Sequence, residues 1–275
     1  MRKLLRKIDA QATSDGDGVK IHRIGGRAMN QVLNPFLMLD EINSDDASDY
    51  IGGFPKHPHR GFETITYMKA GRMRHRDHMG NEGVINPGDV QWMTAGKGVI
   101  HSEMPEQGSG LLHGFQVWLN LPSAEKMRPA AYQEIRSADI PELIVDCSAK
   151  VRAIAGQVDV GDRQLTGPLP ERSTRPTLLD VELRSHANLE LKFNPDHAAL
   201  VYVYRGATNS LQVTQLGLFS KGDTLELNAG GSGSSLLILS GRSIGEPIVQ
   251  HGPFVMNTTD QIEQAVRDYQ RNQFV

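Results

Sequence analysis

A chain of 275 residues can fill one large domain or two of about 130 residues each, and 39% hydrophobic with 22% charged residues is the make-up of a globular protein. Twenty-nine Lys and Arg against 32 Asp and Glu leave a net charge of −3, so there is no overall basic excess to grip a phosphate backbone, and direct nucleic-acid binding is not expected. The single cysteine, Cys147, excludes an internal disulfide and any multi-cysteine zinc or iron–sulfur site within one chain, which leaves histidines and carboxylates as metal ligands.

In chain order, the first eight residues are basic, but Asp9 and polar residues follow where a signal peptide would have its apolar core. No stretch of about 18 apolar residues occurs, so no transmembrane helix is expected and the expected location is cytoplasmic. Asp15-Gly-Asp-Gly18 lacks the remaining ligands of a calcium loop and reads as a turn. Short runs rich in Val, Ile, Leu, Tyr and Thr then predict strands over 63–67, 89–93 and 115–119, punctuated by Gly52-Gly53 and Asn86-Pro-Gly-Asp89. Residues 123–145 form the connection, with a short helix expected over 123–127 and interruptions at Pro129 and Pro141.

Further strands are predicted over 178–183, 189–193, 199–204, 224–227 and 235–239, with turns at Asn194-Pro-Asp196 and Lys221-Gly-Asp223. A tyrosine-containing strand ending at a glycine, followed by a Gly-Asp turn into another strand, occurs in both halves and suggests one barrel used twice. Ile262, Ala265, Val266 and Tyr269 then fall at i, i+3, i+4 and i+7, an apolar helical stripe with Thr258 or Asp260 as candidate cap. The expected fold is all-β, with two barrel domains over 1–138 and 139–257 and a helix over 258–275 packing on them.

Two short motifs carry the chemistry. In Lys56-His-Pro-His-Arg60, strand alternation would point His57 and His59 the same way, about 6.7 Å apart at their Cα atoms. His101-Ser-Glu103 has the same spacing and closes a glycine-rich stretch. Adjacent antiparallel strands would face the two pairs at each other. Three imidazoles and a carboxylate form an N/O set suited to Fe(II), Mn(II), Ni(II), Cu(II), Co(II) or Zn(II). Elsewhere, His75 and His78 near Gly71 read as core or solvated, and Met93, Gln116 and Trp118 as barrel lining.

The strings Asn34-Pro-Phe-Leu-Met-Leu-Asp40, Phe54-Pro-Lys-His-Pro-His-Arg-Gly-Phe-Glu-Thr64, Gly88-Asp-Val-Gln-Trp-Met-Thr-Ala-Gly-Lys-Gly-Val-Ile-His-Ser-Glu-Met104 and Gly252-Pro-Phe-Val-Met-Asn-Thr258 resemble the pirin family of the cupin superfamily. The resemblance runs over nearly the whole chain and is weakest between about 145 and 240. It implies two cupin (jelly-roll) barrels, with one metal ion in the first, held by His57, His59, His101 and Glu103. Fe(II) is the first expectation for that ion, and Mn, Ni, Co, Cu and Zn are the alternatives.

In the second half, His186 and His197 have no such partner and read as surface residues. Many cupins take a glutamate ligand four residues after the second histidine, which is Glu63 here. The pirin pattern assigns Glu103 instead and leaves Glu63 to orient a ligand from outside. Some members of the family are quercetinases. The resemblance therefore implies a flavonol 2,3-dioxygenase using O₂, with Glu103 also catalytic as proton acceptor. The alternative it implies is a metal-redox-responsive protein that binds partner proteins, such as a transcriptional co-regulator.

Overall fold

The computed structural model describes residues 1–169 and 171–275. In chain order the strands are β1 (Leu4–Asp9), β2 (Gln11–Asp15), β3 (Val19–Gly25), β4 (Phe36–Ser44), β5 (Phe54–His59), β6 (Phe62–Ala70), β7 (Met73–Asp77), β8 (Glu82–Ile85), β9 (Val90–Thr94), β10 (Val99–Pro105), β11 (Leu112–Asn120) and β12 (Ala131–Ile135). There follow β13 (Glu142–Val145), β14 (Ala149–Ala155), β15 (Gln157–Val160), β16 (Arg163–Thr166), β17 (Thr177–Leu183), β18 (Asn188–Lys192), β19 (Ala199–Thr208), β20 (Gln215–Phe219) and β21 (Thr224–Ser240). Last come β22 (Val249–His251), β23 (Phe254–Met256) and the C-terminal helix Thr259–Gln270. Among the described residues no helix is long and apolar enough to cross a membrane.

Two compact units emerge: Gln11–Ser137 with Ile244–Val275, and Met1–Ala10 with Ala138–Ser243. The sequence suggested contiguous domains; here each unit takes one terminus from the far end of the chain. The reason is backbone pairing and packing. Strand β1 adds antiparallel to β20, from Leu4 opposite Phe219 to Asp9 opposite Gln215. The C-terminal helix buries Ile262 and Ala265 against Phe254, Met256, Phe274 and Ile100, the residue before His101.

In the first unit a seven-stranded sheet runs β12-β9-β6-β11-β4-β3-β2 and a four-stranded sheet runs β5-β10-β7-β8. Strand β9 is buried throughout, which suits its Trp92 and Met93. Phe62, Trp118, Leu37, Met38 and Val255 form one of the apolar clusters of this unit. The two histidine-bearing strands, β5 and β10, are neighbours in the smaller sheet.

The second unit is a ten-stranded sheet whose interior is aliphatic, with Val201, Val203, Leu236 and Ile238 at alternate positions of β19 and β21. The predicted strands 224–227 and 235–239 are one 17-residue strand, β21. Its first part pairs with β18 and its last part with β17 and β19. The glycines between the two parts let the strand bend, and Gly233 does so at φ +74°.

The C-terminal helix starts as its sequence indicates. Thr258 accepts from the Gln261 backbone N–H, and the Gln261 side chain accepts from the Thr258 N–H, each at 3.2 Å. Tyr269, the last residue of the expected stripe, is 40% exposed. The helix expected over 123–127 is a single 3₁₀ turn, Ser123–Glu125.

Candidate metal centre

Strands β5 and β10 run antiparallel with His57 directly opposite His101. Alternation along β5 returns His59 to the same face, and the imidazoles of His57, His59 and His101 each present a nitrogen within 4.8 Å of the other two. Their ring centroids lie 4.3–4.9 Å apart. His57 is half-buried, whereas His59 and His101 are 3% and 1% exposed. The cluster therefore reaches solvent past His57.

The nitrogen chemistry fits a divalent transition metal. The Pro55 carbonyl can only accept, so His57 donates to it from Nδ1 at 2.8 Å and carries its lone pair on Nε2. That Nε2 lies 3.0 Å from Nε2 of His59. His101 Nε2 is buried without a hydrogen-bond partner, an arrangement that is costly unless something else occupies it. Burial, with the neighbouring His57 ring adding to the effect, holds His59 well below the usual imidazole range. Burial likewise lowers His101, with His59, His57 and His75 adding to the effect. Neutral imidazoles at pH 7 offer lone pairs to a cation without first losing a proton.

Glu103 sits one rung further along β10, where the register with β5 slips and Phe54 is its partner. It is 2% exposed and lies outside the three-imidazole group. Its Oε1 accepts from Thr66 Oγ1 at 3.0 Å and its Oε2 from Gln116 Nε2 at 2.7 Å. A cavity of about 20 Å³ beside it, bordered by Thr66, Met68, Phe115 and Gln116, has room for about one water.

Glu63 is buried and accepts from Thr94 Oγ1 at 2.6 Å, and it too lies outside the group. Strand alternation does not carry from His59 to Glu63, because the chain breaks between β5 and β6 at Gly61 (φ +90°) and enters the other sheet.

The break is braced from behind. Arg60 donates to Asp268 Oδ2 at 2.7 Å, to the Phe274 carbonyl at 3.0 Å and to the Lys97 carbonyl, with its guanidinium over the Phe274 ring. Lys126, also buried, donates to the carbonyls of Gly61 (2.7 Å) and Val255 (2.9 Å) and to Asn120 Oδ1 (2.6 Å). His59 itself packs edge-on against Phe62 and Trp118.

His75 is fully buried on β7, opposite Glu103 in register, and its Nε2 lies 3.0 Å from His101 Nδ1. Sequence reasoning left it unconnected; its alternation with the buried Met73 was the available signal. His78 is exposed, with its Nδ1 accepting from the Ile100 N–H. Trp118 donates to Gln116, and Met93 is in the core.

In the second unit His186 is exposed as expected. His197 is not: it is 5% exposed, because the Arg2 guanidinium clasps its backbone carbonyl along with those of Asn194 and Ser220 and carries that segment inward. No group of three metal-capable side chains falls in this unit among the described residues.

Two β-rich units of this kind, one with clustered imidazoles on neighbouring strands, define a two-domain cupin. The pirin family model matches residues 18–119, and that of the pirin C-terminal cupin domain matches residues 178–275. The chain belongs to the pirin family. It is 46% identical to a Vibrio cholerae protein provisionally named a quercetin 2,3-dioxygenase, over 99% of this chain and 98% of that one. It is 44% identical to a pirin-like protein of Caulobacter vibrioides, covering 100% and 99%. Among solved structures, a quercetin 2,3-dioxygenase from Acinetobacter baumannii superposes with a TM-score of 0.90 at 34% identity, covering 100% of this chain and 98% of that one.

Proposed function

We propose that this chain is a metal-dependent dioxygenase of the pirin type, which opens the central ring of a flavonol such as quercetin with O₂ and releases carbon monoxide. The observation that carries the reading is the cluster of three imidazole nitrogens, kept neutral on two of its members by burial and reaching solvent past the third. The names of its relatives in Vibrio and Acinetobacter support it. The reading includes one divalent ion per chain, Fe(II) first and Mn, Ni, Co, Cu or Zn as alternatives, and a cytoplasmic location.

His57, His59 and His101 would hold the ion, with Glu103 the nearby carboxylate able to complete the set. When bound, the metal supplies Lewis-acid polarisation of the flavonol 3-hydroxyl and a route for electrons to O₂. The chain's own residues do the rest. Glu103 accepts the hydroxyl proton, and Thr66 and Gln116 hold its two oxygens so that the acceptor is oriented beforehand. The cavity beside Glu103 is too small for a three-ring substrate, so a flavonol approaches over half-buried His57.

The test is aerobic quercetin consumption and carbon monoxide release by protein loaded separately with each of the candidate ions, with His59→Ala as control. Turnover that needs both metal and His59 supports the reading. No turnover by protein that demonstrably holds metal overturns it, in favour of a metal-redox-responsive protein that binds partner proteins.

A further inference from the structure

We propose that His75 is a positioning residue for the metal centre, acting through His101 by fixing which nitrogen of that ring carries its proton. The inference rests on the metal reading above and extends it to a side chain outside the ligand set. Its basis is geometric. His75 Nε2 and His101 Nδ1 lie 3.0 Å apart in a buried setting, and the opposite nitrogen of His101, Nε2, has no partner.

A neutral imidazole has one N–H and one lone pair. For His101 to offer Nε2 to a cation, its proton must sit on Nδ1, and that N–H needs an acceptor. His57 solves the same problem with a backbone carbonyl, that of Pro55. His101 has His75 Nε2, which accepts only when the proton of His75 is on Nδ1. In the reverse arrangement His75 donates and His101 keeps its proton on Nε2, which blocks the metal. The pair thus has two tautomeric arrangements, and one is competent to bind.

An apolar side chain would fill this inward position of β7 at lower cost. A buried polar ring needs a hydrogen-bonding reason to be there. The ring of Tyr132, 5.0 Å away, packs against His75 and limits its rotation. Register puts His75 opposite Glu103, so the same side chain backs both ends of the β10 motif.

The experiment measures Co(II) affinity by chelator competition, together with the visible absorption of bound Co(II), on the full chain and on His75→Leu, His75→Gln and His75→Asn. In Gln the amide oxygen reaches the place of Nε2; in Asn it falls short. Leu and Asn are expected to lose about 10–100-fold in affinity, with altered Co(II) bands, and Gln to recover most of the loss. Wild-type affinity in His75→Leu overturns the proposal. So does equal weakening in Gln and Asn, the comparison that decides if the Leu variant fails to fold. A wild-type protein binding Co(II) no better than His59→Ala sinks the metal reading itself, and the proposal with it.

Discussion

Gln116 donates to Oε2 of Glu103 at 2.7 Å while Thr66 holds Oε1, so the buried carboxylate is fixed from β11 and β6 and not by its own strand. Removing either donor leaves a buried charged oxygen short of a partner. Gln116→Leu and Thr66→Val are each expected to destabilise the fold by roughly 1–3 kcal/mol in urea unfolding. Glu103→Gln is expected to lower quercetin turnover far more than metal content, read side by side on the same preparation. Equal losses of both would make Glu103 a ligand and nothing more.

Lys126 ties three acceptors that belong to distant stretches of sequence: Gly61 behind the histidine strand, Asn120 at the end of β11, and Val255 on β23. Lys126→Met keeps the aliphatic length and removes every donor. A loss of about 3 kcal/mol in equilibrium unfolding is expected, because the buried oxygens are then left without donors. A loss within error would show that water replaces the ammonium without penalty.

The Arg60–Asp268 pair has a definite pH signature. Arg60 holds the Asp268 carboxylate below its ordinary 3.8, chiefly by hydrogen bonding. The folded pKa is depressed, so the pair contributes stability above the unfolded value and loses it as pH falls through the folded one. Asp268→Asn should cost roughly 1.5–3 kcal/mol near neutrality, the range for a hydrogen bond to a charged group. The gap from wild type should close below about pH 3.8, measured as the difference in chemical denaturation between the two proteins. A gap that stays constant into acid would refute the assignment.

At Gly61, φ is +90° and an added Cβ would lie 2.0 Å from the Val255 carbonyl oxygen. Gly61→Ala therefore meets both strain and collision, with an expected cost of about 2–4 kcal/mol. Because the residue lies two positions after His59, Co(II) affinity should fall as well. Unchanged melting temperature and affinity in this variant would show that the tail can move aside.

What could be read from the sequence was whatever alternation and spacing encode locally. His57 and His59 share a face because β5 is regular between them, and the His101 motif faces them because β10 is the antiparallel neighbour. Thr258 and Gln261 announced the helix start three residues apart. Glu63 was harder to place, since parity counting fails across the break at Gly61. The link from His75 to His101 depends on β7 pairing with β10, across 26 residues. The exchange of termini was invisible for a related reason: β1 joins β20 through backbone groups, which every residue carries alike.

The brace behind the histidine strand also has a temporal consequence. Synthesis runs from the N-terminus, so His57 and His59 emerge from the ribosome early. Asp268 and Phe274, which clamp the adjoining Arg60, come some 208 to 214 residues later. The histidine-bearing unit, Gln11–Ser137 with Ile244–Val275, is therefore begun early and finished only after residues 138–243 of the other unit have been made. A truncation that removes Asp268 and Phe274 would leave every candidate ligand in place and still undo the support beneath two of them.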